Sequence, residues 1–292
     1  MTAAHIKSVQ CCSPTGLHRM SYKEWGDETN PNILICVHGV TRVGDDFDTL
    51  AQALSDHYRV ICPDVVGRGR SGKLLDPRLY TVPQYVSDMI TLIARVTAHN
   101  GAAKIDWFGT SMGGLIGMAL ASLPGNPIRK LVLNDIGPTL GPAALLRIGD
   151  YLGQDLRFPD FDAAARFVRE VSVSFGAHSD EQWHKLASDV LRQEADGQWV
   201  RHYDMGLAHP FRTATADTAK ADETALWGAY DAIRCPTLLV RGADSDLLSH
   251  DTALMMTRRG PKAELVEIAG VGHAPTFIHG DQIAIARTFL IG

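Results

Sequence analysis

Ser111 stands in Gly109-Thr110-Ser111-Met112-Gly113-Gly114, a Gly-x-Ser-x-Gly pattern that follows the β-rich run Lys104–Phe108 and opens a helical stretch at Met112. A serine on so tight a strand-to-helix turn needs small neighbours, and Gly109 and Gly113 supply them. Such a turn lifts the serine hydroxyl above a sheet. The N–H of Met112, at the helix N-terminus, then points where negative charge would develop. Gly270-Val271-Gly272-His273-Ala274-Pro275 places His273 on a loop after the last strand-like run, as a general base for Ser111, with Pro275 expected to start the final helix. Val37-His38-Gly39-Val40 ends the first continuous apolar run, and Gly39 lets the chain turn sharply, so that the N–H of Val40 becomes the second oxyanion donor. Nucleophile, base and two aimed amides are the parts needed for acyl transfer through a covalent intermediate.

The elements that must position these groups read as α/β. Ile33–Val37, Tyr58–Cys62, Ile105–Phe108, Lys130–Leu133, Thr237–Val240 and Ala263–Ile268 are short β-rich runs, several of them continuously apolar, as expected of strands buried on both faces. Leu17–Trp25 alternates more and reads as an edge strand. Helices are expected over Phe47–Ser55, capped by Asp45 or Asp46, and over Val82–Ala98, with Thr81 as N-cap and Pro83 in the first turn. Met112–Leu123, Thr252–Arg259 and Thr276–Leu290 follow as helices. The alternation predicts a mostly parallel sheet covered by helices. From Gly137 to about Ile233 the rhythm breaks into an aromatic, His-bearing stretch with helical segments around Phe161–Phe175 and Asp180–Arg192, which reads as a helical insertion between two core strands.

Composition narrows the function classes. With 292 residues, 45% hydrophobic and 21% charged, the chain suits a packed globular protein of one large domain or a core with a substantial insertion. A net charge of −5 without a basic block removes the usual drive toward nucleic acid or an anionic membrane. The longest apolar runs fall far short of the ~20 residues that span a bilayer. Met1–Cys12 lacks the charged-then-apolar pattern of a secretory leader. Cys11, Cys12, Cys36, Cys62 and Cys235 are odd in number and include an adjacent pair, so they read as reduced thiols in a cytoplasmic protein. Gly67-Arg68-Gly69-Arg70-Ser71-Gly72-Lys73 imitates a phosphate-binding loop. Leu74 replaces the metal-binding hydroxyl, however, and Pro77 interrupts the helix that would hold phosphate, so the stretch reads as a structural turn braced by Asp64. Arg42 is a candidate partner for a substrate carboxylate.

Taken with their order, His38-Gly39, Pro63-Asp64-x-x-Gly67-x-Gly69-x-Ser71, Gly109-x-Ser111-x-Gly113-Gly114 and Gly272-His273 resemble the α/β-hydrolase superfamily, in its serine esterase and lactonase-like branch. The resemblance implies an eight-stranded, mostly parallel sheet with helices on both faces and a Ser-acid-His triad. It further implies a helical lid inserted after the sixth strand, giving a core of residues 1–138 and 233–292 and a lid of residues 139–232. The common acid position of that superfamily falls on Ser245, flanked by Asp244 and Asp246. Some members take the acid from the strand after the elbow, where Asp135 lies. That register favours Asp135, with Asp246 and then Asp244 as alternatives. The implied activity is hydrolysis of carboxylic esters, lactones or thioesters on a small-molecule substrate, without metal or organic cofactor. Carbon–carbon bond hydrolysis or acyl transfer on the same triad is the first alternative, although Ala274 occupies a place where many carbon–carbon hydrolases carry Trp. A non-catalytic binding module is the second, and a nucleotide-dependent enzyme using Gly67–Lys73 the third.

Overall fold

The computed structural model describes residues 4–98, 104–213 and 215–292. Eight strands form one sheet: β1 (His5–Ser13), β2 (Gly16–Trp25), β3 (Ile33–Val37), β4 (Arg59–Pro63), β5 (Ile105–Thr110), β6 (Ile128–Asn134), β10 (Thr237–Gly242) and β11 (Glu264–Ile268), three short strands of a separate sheet intervening in sequence between β6 and β10. Their spatial order is β1-β2-β4-β3-β5-β6-β10-β11. β1 and β2 join antiparallel, β2 joins β4 antiparallel, and the remaining pairs are parallel.

The apolar runs are central strands because both of their faces are covered. Along β3, Ile33, Ile35 and Val37 pack into a cluster with residues of α2 (Val82–Thr97) and α3 (Met112–Ala121), while Leu34 and Cys36 pack on the opposite side with residues of α1 (Asp48–Leu54) and α10 (Gly280–Ile291). Period-two alternation thus sends successive apolar side chains into two different cores.

Several expectations change on contact with the fold. β1 was not legible, since most of its residues are exposed and only Val9 and Cys11 carry an apolar face into the core, the strand being held mainly by pairing with β2. β2 is consequently interior and β1 is the edge. Asp45 and Asp46 do not cap a helix at Phe47; Asp45 instead pairs with Lys23 and Arg70, and Asp46 with Arg42. Thr81 occupies the N-cap of α2, yet its hydroxyl makes no capping bond. The last helix starts at Gly280 and not at Pro275, because Phe277 adopts a φ of 55° and buries its ring edge-on against Phe108 at 4.7 Å.

Between β6 and β10 the chain builds α4 (Pro142–Leu152), α5 (Phe161–Val171), α6 (Asp180–Val190), α7 (His209–Thr213) and α8 (Ala216–Ala232). A small antiparallel sheet of β7 (Arg157–Phe158), β9 (Trp199–Arg201) and β8 (Leu191–Gln193) accompanies them. Its helical character was legible; the short strands and the separate helices α4 and α8 were not. The C-terminal turns of α8 return to the core, where the fully buried Tyr230 donates to the Met256 carbonyl at 2.7 Å.

A buried ion pair joins the antiparallel and parallel halves of the sheet. Arg59 on β4 meets Glu24 on β2 through Nε and Nη2, each at 3.0 Å, and its Nη1 donates to the Val96 carbonyl near the end of α2. Removing the carboxylate strands a buried guanidinium. Glu24→Gln should therefore destabilise the fold by about 3–5 kcal/mol in urea or guanidinium titrations. An unchanged unfolding midpoint would show that the pair is dispensable.

Candidate active site

Ser111 links β5 to α3 with φ 52° and ψ −116°. The chain tolerates this because its neighbours lack side chains: a Cβ on Gly109 would overlap the carbonyl of Gly113, and one on Gly113 would overlap the carbonyl of Val37. The Ser111 N–H donates to the Asn134 carbonyl at the end of β6 at 2.9 Å, which fixes the turn to the neighbouring strand.

His273, in the loop after β11, places Nε2 2.9 Å from the Ser111 hydroxyl oxygen. Its Nδ1 lies 2.7 Å from Oδ2 of Asp135, just past β6. Since a carboxylate can only accept, Nδ1 carries the proton and Nε2 presents its lone pair to Ser111. Asp135 is fully buried with φ 54°. Its Oδ1 accepts from the Gly242 N–H at 2.9 Å, and its Oδ2 also accepts from the Ser245 hydroxyl at 2.6 Å.

The competing aspartates lie elsewhere. Asp246 is exposed and ion-paired with Arg147, and the salt bridge draws its carboxyl below the usual range. Asp244 is also exposed, its backbone N–H bonded to the Val271 carbonyl. Of the three candidates, Asp135 is the one brought to His273. Ser245, which the sequence offers only as a departure from the common acid position, is the hydrogen-bond donor that steadies that carboxylate.

A cavity of about 500 Å³ opens over Ser111 and His273. Gly39 and Val40 line it, and a Cβ on Gly39 would sit 3.7 Å from Cβ of Ser111, so this turn lies directly against the serine. Met112 follows Ser111 as the first residue of α3. Arg42 reaches the wall, but its Nε and Nη2 grip Asp46 at 2.7 and 2.6 Å, and Nη2 also donates to the Leu186 carbonyl. The fork that would take a substrate carboxylate is engaged, which corrects the expectation placed on it.

Two groups below the cavity were missed as site components. His38 is buried, donates from Nδ1 to the Gly39 carbonyl at 2.7 Å and accepts the Val65 N–H at Nε2. Burial pushes its pKa down to about 3. Arg68, 1% exposed, donates from Nε to the Val40 carbonyl at 2.9 Å and from Nη2 toward Sδ of Met112 at 3.2 Å. One guanidinium therefore braces both residues expected to supply the oxyanion amides. The signal was present in the phosphate-loop imitation at Gly67–Lys73, which contains Arg68. Its turn is fixed as expected by Asp64, which accepts the N–H groups of Gly44 and Arg70 at 2.8 Å each.

The segment between β6 and β10 reaches the histidine. Ser174 donates its hydroxyl to the His273 carbonyl at 2.7 Å and accepts the Gly272 N–H on its own carbonyl at 2.6 Å. Among the described residues, the grouping of metal-ligating types that lies close together is Cys11, His18 and Asp88, away from the cavity and already hydrogen-bonded internally through His18 and Asp88 at 2.9 Å.

Residues 32–279 match the family model for the alpha/beta hydrolase fold. The chain belongs to the α/β-hydrolase family. It is 55% identical over 287 residues to a 3-hydroxybutyrate-oligomer hydrolase of Cupriavidus necator, covering 97% of each chain. It is 25% identical to a pimeloyl-[acyl-carrier protein] methyl ester esterase of Stenotrophomonas maltophilia over 87% of this chain and 90% of that one. Among solved structures, an alpha/beta hydrolase from Novosphingobium aromaticivorans superposes with a TM-score of 0.85 at 34% identity, covering 100% and 99% of the two chains. The chain is an enzyme of this family, a hydrolase of carboxylic esters. No helix of the described residues is long and apolar enough to cross a membrane.

Buried imidazoles make the fold acid-sensitive. His38 is held near a pKa of about 3, and burial lowers His202 to about 4, helped by Arg192 and Arg70. Unfolded histidines bind protons below about 6.5, whereas these two stay neutral in the native state until much lower pH. Acid therefore favours the unfolded chain, His38 tilting the balance by about 1.4 kcal/mol per pH unit. Asp189, raised by burial to about 6, takes up a proton in the folded state and offsets part of this loss. The guanidinium unfolding midpoint should fall between pH 7 and pH 5, and equal midpoints would contradict the assignment.

Proposed function

We propose that this enzyme hydrolyses short linear oligoesters of 3-hydroxybutyrate or a closely similar hydroxy acid, using Ser111 as nucleophile, His273 as general base and Asp135 as the orienting acid. The observation that carries the reading is the unbroken hydrogen-bonded line from the Ser111 hydroxyl through His273 to Asp135, at 2.9 and 2.7 Å. The substrate class is drawn from the Cupriavidus necator relative, whose similarity runs the length of both chains.

In the first half-reaction the Ser111 oxygen attacks the ester carbonyl carbon while His273 Nε2 takes the hydroxyl proton. Charge develops on the carbonyl oxygen, and the N–H groups of Val40 and Met112 receive it. The anchoring of the Val40 carbonyl on Arg68 supports this, since a fixed carbonyl fixes the turn that bears the amide. The carbon–oxygen bond to the leaving alkoxide then breaks, and His273 returns the proton to that oxygen. In the second half-reaction His273 deprotonates water, which attacks the acyl carbon and releases the acid and the Ser111 hydroxyl. Asp135 holds the imidazole in the required tautomer and stabilises its protonated form.

Residues 139–232 act in this reading as a cap that closes the substrate space. Support comes from Ile148, Tyr151, Phe167, Val171 and Phe175, which line the cavity opposite the sheet, and from the two bonds of Ser174 to the His273 loop. Such a mixed wall suits a substrate of small methyl-bearing units joined by esters. The free state of all five cysteines supports a reducing, cytoplasmic setting.

Ser111→Ala should lower kcat by roughly 10⁴–10⁶-fold with circular dichroism unchanged, and an organophosphonate should label wild-type protein once per chain, at Ser111. Wild-type enzyme should also cleave linear 3-hydroxybutyrate dimers and trimers. Labelling at another residue would contradict the nucleophile. Turnover of p-nitrophenyl butyrate without cleavage of either oligomer would contradict the substrate class.

A further inference from the structure

Three arginines line the cavity above Ser111, and two of them are already neutralised, Arg42 by Asp46 and Arg147 by Asp246. The third, Arg201 on β9, has no carboxylate partner among the described residues. Its Nη2 donates to the main-chain carbonyls of Tyr151 at 2.9 Å and Gln154 at 2.6 Å. Its Nε and Nη1 make no hydrogen bond among the described residues. The rings of Tyr203, Phe167 and Tyr151 lie 4.9, 5.8 and 6.0 Å from its Cζ, so the cation sits in an aromatic frame whose members also line the cavity. Burial lowers its pKa below the usual arginine range, the expected response of a cation removed from water without a counter-charge. The nearby carboxylate of Asp155 is exposed and lies with Arg157 instead.

A half-buried guanidinium with free donors in a substrate cavity is poorly accounted for by packing alone. Two carbonyls would hold the side chain in place, but they leave its charge uncompensated. An anion arriving with the substrate would supply the compensation. The substrate class proposed above carries one such group: a linear oligomer of a hydroxy acid is neutral along its ester-linked units and ends in a single carboxylate. A planar guanidinium with Nε and Nη1 free matches a carboxylate better than a lysine would.

We propose that Arg201 binds the free carboxylate terminus of the oligoester, so that the scissile ester is chosen by its distance from that end. The inference rests on the hydroxy-acid reading of the substrate. In an ester of this kind the carboxylate end belongs to the leaving alcohol. Arg201 thus holds the fragment whose carbon–oxygen bond breaks, while Ser111 retains the acyl fragment from the hydroxyl end and His273 delivers the proton to the departing alkoxide. Linear free acids become the favoured substrates, and oligomers with a blocked terminus lose the contact.

The test compares the linear 3-hydroxybutyrate trimer with the same trimer capped as its methyl ester. Wild-type enzyme should prefer the free acid by roughly 10–100-fold in kcat/KM, the range of one or two hydrogen bonds to a charged group, with most of the difference in KM. Arg201→Gln should bring that ratio toward one, and Arg201→Lys should retain part of it. Because the ratio is taken within one protein, loss of folded material through the Tyr151 and Gln154 contacts cancels from it. Equal use of both trimers by the wild type, or a ratio preserved in Arg201→Gln, would overturn the inference while leaving the substrate class intact. Failure to cleave either trimer, with p-nitrophenyl butyrate still turned over, would remove the substrate class and this inference together.

Discussion

The carboxylate of Asp135 is the point at which the sheet and the site become one structure. It leaves the end of β6, its own N–H bonds to the Val240 carbonyl on β10, and its oxygens accept from Gly242, Ser245 and His273. Strand ends from β6 and β10 and the loop after β11 are thereby fixed to one buried acid. The neighbouring Asn134 extends the same tie, donating to Thr110 at 3.0 Å and to the Pro275 carbonyl at 2.8 Å. Moving any of these strands relative to the others would misplace His273. The precision required of the imidazole is thus supplied by the register of the parallel sheet.

Ser245 explains how an acid can change strands without loss of geometry. The loop after β10 carries Ser245 where the resemblance puts the common acid position. With serine there, the loop contributes a hydroxyl that satisfies the second acceptor of Asp135 Oδ2, and the Leu248 N–H donates back to that hydroxyl oxygen at 3.2 Å. The pair Asp135 and Ser245 therefore works as one unit spanning two strand ends. A second unit lies beneath the cavity, where Arg68 fastens Val40 and Met112 and neutral His38 fastens the Gly39 carbonyl.

Much of this was legible in the sequence because it depends on local pattern. Continuous apolar runs identified β3 and β10, and small residues around Ser111 identified a turn that only glycine neighbours permit. Asp135 was readable from its register after β6 as the favoured of three candidate acids, with Asp246 and Asp244 as alternatives. What escaped was whatever depends on distant partners. β1 turns only Val9 and Cys11 to the core, too short a pattern to betray it, and pairs along its length with β2. Phe277 withdraws from the final helix to fill a space beside Phe108. Arg42 looked free in sequence and is engaged by Asp46, whereas Arg201 had no motif around it and stands unneutralised in the cavity. Side-chain charge is visible in a sequence; whether that charge is already answered is a tertiary property.

In the proposed triad the acid comes from the end of β6 and not from the loop after β10. The direct measurement is kcat of Asp135→Asn and Asp246→Asn on one soluble ester, with folding of each variant checked by its unfolding midpoint. Loss of the orienting carboxylate in Asp135→Asn should reduce kcat by about 10⁴-fold, whereas Asp246→Asn, which breaks an exposed pair with Arg147, should stay within a few-fold of wild type. A folded Asp135→Asn with near-wild-type kcat, or the large loss appearing in Asp246→Asn instead, would remove Asp135 from the triad.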